Sequence, residues 1–157
     1  MIRIVCGLAF LVMIVATTAR AQAETTDPNS ATFVNAINAI EKKDFQTAVE
    51  LFTILASEGE PTSQHNLSIL YSKGLGSPVS YKRALYWAWR ASLGGNEQAM
   101  GVVDNLRDMV TEDLIGVVSE EIVSELTAKA MDGDKNAAER LGTVSYTHLT
   151  LPTILRV

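Results

Sequence analysis

Few side chains in this chain have a type and spacing that supports chemistry. There are two histidines and one cysteine in 157 residues. His65 is of a kind that serves as general base or metal ligand. Acid–base work needs a partner held within hydrogen-bond reach, and the sequence around His65 offers none, so it reads as a partly exposed helix residue. Asp132, Asp134 and Asn136 alternate in a turn, which suggests calcium. An EF-hand loop needs a third ligand followed by glycine and a terminal glutamate. Those are missing, and the turn reads as a cap for the next helix. No H-E-x-x-H, phosphate loop or G-x-S-x-G occurs. No catalytic residue, cofactor or metal is therefore expected, and the chain reads as a non-enzyme. A third set is Tyr86, Trp89 and Leu93. Exposed, they form an aromatic patch of the kind enriched at protein interfaces. Buried, they pack on neighbouring helices. They are the candidate partner-binding residues.

The elements that must position these residues are helical. Residues 60–95 read as one hairpin. Pro61 suits a first helical position, Leu67, Leu70 and Tyr71 recur at helical spacing, and Gly74, Gly76 and Pro78 make a turn. A second helix runs from about Ser80 to Leu93, with Ala84, Trp87, Ala88 and Ala91 as its inner stripe. Upstream, Ser30 caps a helix from Ala31 to about Lys42, with Phe33, Val34, Ala36, Ile37 and Ile40 as its apolar face. A helix from Asp44 to about Glu58 buries Phe45, Ala48, Leu51, Phe52 and Leu55. Phe45 and Tyr81, Ala48 and Ala84, and Gly59 and Gly95 are each 36 residues apart. A period of this size marks a helical repeat. Adding it to Leu67 and Leu70 gives Val103 and Leu106, in a helix from about Glu97 to Met109. Thr111 and Ser119 each suit a helix N-cap, and Gly116 leaves open whether one helix or two follows.

The order Leu67, Leu70-Tyr71, Gly74-x-Gly76, Arg83-Ala84, Trp87, Ala91 and Gly95 closely resembles the Sel1-like repeat, a relative of the tetratricopeptide repeat. Ser68 replaces the first glycine of that pattern, and Ala91-Ser92 replaces its double alanine. The resemblance implies an all-α fold, an α/α solenoid of helical hairpins at about 30–59, 60–95 and 96–132, with a further repeat starting at 133–142. It also implies an adaptor or regulatory scaffold in the cell envelope that binds a protein or peptide and modulates a signalling partner. The alternative is the positioning arm of a cell-wall-acting enzyme whose catalytic part lies outside these residues.

Charge narrows the partners. There are 18 acidic and 13 basic residues. Setting aside Arg3, Arg20 and Arg156, in the two terminal segments, leaves 10 basic against 18 acidic, or −8. That argues against nucleic acid, whose backbone calls for a positive surface. Residues 1–23 read as a secretory signal peptide: Arg3, an apolar run from Ile4 to Ala16, and Ala21-Gln22-Ala23 as cleavage site. The run is well short of the roughly 20 residues that span a bilayer, so no stable membrane insertion is expected once it is cleaved. Residues 24–29 are a polar linker. An exported, periplasmic or secreted bacterial protein follows, without a disulfide, since Cys6 lies in the leader. At the other end, Val144 to Thr153 reads VSYTHLTLPT. That is the translation of GTC TCT TAT ACA CAT CTG ACG CTG CCG ACG, which resembles a transposon-end sequencing adapter. Residues 143–157 are accordingly expected to be non-native, and His148 to carry no function.

Overall fold

A computed structural model describes residues 28–144 of the chain. The expected signal peptide, most of the linker and residues 145–157 lie outside the described residues. The chain divides into two compact units between Ala31 and Thr32. The described part of the first unit is the opening turn of one helix, and everything below concerns the second.

The described residues form seven helices and no strand: α1 Pro28–Glu41, α2 Phe45–Ser57, α3 Pro61–Lys73, α4 Tyr81–Leu93, α5 Ala99–Arg107, α6 Glu112–Met131 and α7 Lys135–Val144. The all-α class is thus observed. Local chemistry sets most of their starts. The Thr47 N–H donates to Asp44 Oδ1 at 3.3 Å, and the Leu114 N–H to Thr111 Oγ1 at 3.3 Å, each satisfying a first-turn donor with no intrahelical acceptor. Glu60 caps α3, accepting from the N–H groups of Thr62 and Ser63, with Pro61 at the first position. Burial disfavours the Glu60 charge, but the bonds from Ser63 and Thr62 outweigh it and lower its pKa.

One turn recurs. At Gly59-Glu60, Gly95-Asn96 and Gly133-Asp134 the glycine sits at a φ between 93° and 96°. In each, the following N–H reaches back five residues, to Leu55, Ala91 and Lys129 respectively. The second residue of each pair then accepts from amides of the next helix. Lys42-Lys43-Asp44 makes the same turn, with Lys43 at φ 61°, where a side chain costs about 1 kcal/mol relative to glycine. Positions 36 apart share environments: Ala48 and Ala84 are fully buried, and Leu67 and Val103, like Leu70 and Leu106, are at most 2% exposed.

α4 is the hub, packed against α3, α5, α6 and α7. Ala84, Ala88 and Ala91 are fully buried as expected, and small side chains let helices approach closely. The tryptophans are exchanged relative to the expected stripe. Trp89 is core, at 2% exposed, while Trp87 is half-buried, edge-on to Tyr86 at 5.0 Å. A single stripe underestimates a helix packed on two sides, whose buried arc here also takes in Leu85 and Arg90.

Packing bears on three further points. Residues 112–131 are one helix, passing through Gly116, and Ser119 donates its hydroxyl to the Gly116 carbonyl instead of capping a new start. Val34 is 53% exposed rather than part of the buried face of α1. Thr143 and Val144, assigned to the non-native tail, continue α7, and Val144 is 8% exposed.

Candidate functional site

Tyr86, Trp89 and Leu93 do not make a common exposed patch. Trp89 belongs to the core, and Leu93 is partly buried against it. Tyr86 is half-buried with its hydroxyl engaged. The physical reason is that α4 packs on several helices, among them α6, which reaches Tyr86 through Glu125.

What α6 brings to α4 is a polar network. Tyr86 donates its hydroxyl to Glu125 Oε2 at 2.6 Å. Arg90 Nη1 donates to the same hydroxyl at 3.3 Å and pairs with Glu125 Oε1. Lys129 pairs with that oxygen too, at 2.9 Å, and one turn up the seam Lys82 pairs with Glu121 at 2.9 Å. Lys82 with Glu121 and Tyr86 with Glu125 are both 39 residues apart, so one helical register sets both pairs. Burial works against a Glu125 charge, yet the hydrogen bonds from Tyr86, Arg90 and Lys129 prevail and hold its pKa at about 2. The Tyr86 phenol is pushed up to about 12, by burial and by donating to that carboxylate. Both groups are fixed in one protonation state across the physiological range, which suits a structural tie rather than proton transfer.

Sequence reading missed Arg90. Its side chain is 7% exposed, and the signal was its place four residues after Tyr86, on one helix face. Arg90 also lines a cleft of about 160 Å³, with the Glu58-Gly59 turn, Lys129, Asp134 and Arg140. A second concavity, about 360 Å³, lies between α3 and α5. Its lining is largely apolar: Ile69, Val102, Leu106 and Met109, with Ser72, Lys73 and Asn105 as the polar members. Met109 is 60% exposed.

His65 stands on α3, half-buried, with its imidazole pKa lowered by burial and its Nδ1 without a hydrogen-bond partner. Asp134 is occupied as a cap, accepting from the N–H groups of Asn136 at 2.9 Å and Ala137 at 3.1 Å. Among the described residues no group of three or more His, Cys, Asp or Glu side chains is arranged to hold a metal, and no helix is long and apolar enough to cross a membrane.

No family model matches the chain. No solved structure matches it either.

Proposed function

We propose that this chain is a non-catalytic interaction protein of Sel1-like hairpins, stacked as a solenoid, exported from a bacterial cell. It acts as an envelope adaptor or regulatory scaffold and holds a protein or peptide partner, not a nucleic acid. The observation that carries the reading is the recurring turn at Gly59, Gly95 and Gly133, each ending one hairpin and capping the next. Hairpins related in this way can cover one another's apolar faces in series. Such stacking gives stability without a reactive pocket and leaves grooves between successive helices for a ligand. The groove between α3 and α5 fits that use: it is open, mainly apolar, and ends in an exposed methionine, a side chain that adapts to varied partners.

Panning a displayed peptide library on the full chain tests the proposal. Affinities of the selected peptides are then measured by fluorescence anisotropy. Met109→Asp and Ile69→Asp should weaken them by about tenfold or more with helical circular dichroism unchanged. A library that yields no binder counts against an interaction module. Binders indifferent to both substitutions count against this groove.

A further inference from the structure

The cleft beside α4 and α6 plays no part in the groove reading, and its chemistry is different. Arg90 lines it; the guanidinium lies over the Tyr86 ring at 5.7 Å, and its hydrogen bond and ion pair both run through Nη1, to Tyr86 and Glu125. A guanidinium carries five N–H donors, and the hydrogen bond and ion pair of Arg90 use only those of Nη1. Lys129, also lining the cleft, pairs with the same Glu125 oxygen. One carboxylate thus answers two cations. Arg140 adds a third cation to the lining and makes no ion pair among the described residues.

Two acidic side chains line the cleft as well. Asp134 has its Oδ1 taken by two amides of α7, where the positive end of the helix offsets much of its charge. Glu58 stands exposed at the end of α2. The lining therefore carries three cationic side chains against two acidic ones. A volume of about 160 Å³ admits a small group, not a folded segment.

We infer that this cleft binds a carboxylate, presented by a small acid or by the C-terminus of a peptide, with Arg90 and Arg140 as its donors. Planar two-pronged pairing is the geometry in which arginine binds carboxylates most strongly. The site stands on its own geometry, so groove substitutions such as Met109→Asp should leave it unchanged.

The test is a ¹⁵N NMR titration of the full chain with N-acetylalanine, with N-acetylalaninamide, and with an N-acetylated tetra-alanine bearing a free C-terminus. The two acids should shift the amides of Gly59, Ala137 and Arg140 with saturation, and the tighter of them identifies the source. The neutral amide should leave those signals in place. Arg140→Gln should weaken the acids about tenfold, with Arg140→Lys in between and all other amide positions preserved. Equal shifts from acid and amide, no shift from either acid, or unaltered affinity in Arg140→Gln would overturn the assignment.

Discussion

The α3–α4 hairpin and the α4–α6 seam share one helix and differ in what holds them. In the α3–α4 hairpin, Ala84 and Ala88 on one helix and Leu67, Leu70 and Tyr71 on the other belong to one apolar cluster, with Arg83 over the Tyr71 ring at 5.4 Å. Against α6, helix α4 adds an ionic row to its apolar contacts: Lys82, Tyr86 and Arg90 facing Glu121 and Glu125. Apolar packing tolerates changes of pH and salt, whereas an ionic row responds to both. The hairpin joins two helices adjacent in the chain. The seam depends on which hairpin lies alongside.

Four measurements put that contrast at risk. Trp89→Ala opens a cavity in the core and should cost about 3–5 kcal/mol in urea unfolding. A loss below ~1 kcal/mol would return Trp89 to the surface. Arg90→Ala leaves Glu125 and Tyr86 without their shared donor and should cost about 2–3 kcal/mol. Arg90→Met keeps the volume, and a double cycle with Glu125→Gln should recover part of the loss.

Acid titration comes third in size. The folded pKa of Glu125, at about 2, lies below its ordinary value of 4.5. Its contribution is present above 4.5 and disappears as pH falls towards 2. Stability should therefore decline across that window by about 1–2 kcal/mol more in the parent chain than in Glu125→Gln, the figure being reduced for a side chain one-third exposed. Equal slopes would remove the seam as an ionic tie. Lys82→Ala should change least. Its pair with Glu121 is half exposed on both sides, so a loss of about 0.5 kcal/mol or less, erased by high salt, is expected.

Much of the hairpin was legible because its signals are local. Pro61 after Glu60, and Gly74 with Gly76, act within a turn of their own positions, and Leu67 and Leu70 declare a face by spacing alone. The Gly59 to Gly95 period was legible for the same reason. The candidate binding residues were not, because exposure belongs to the surroundings of a helix. Tyr86, Trp89 and Leu93 form an outer face only if nothing lies beyond α4, and α6 does. At Gly116 the sequence leaves one helix or two open. The glycine weakens helix propensity, but Ile115, Val118 and Ile122 on the same helix are buried, and packing carries α6 through it.

Where most helices start and stop, and that one glycine turn recurs, is written in the order of the residues. Caps, prolines and glycines work through bonds to backbone a few residues away. Which tryptophan is core, and that Arg90 meets a glutamate from another helix, emerged only once the helices were packed. So did the placing of a polar cleft among α4, α6, α7 and the end of α2, and of an apolar groove between α3 and α5. Those outcomes depend on which faces of α4 are covered, and covering a face takes a second helix whose register no single segment encodes.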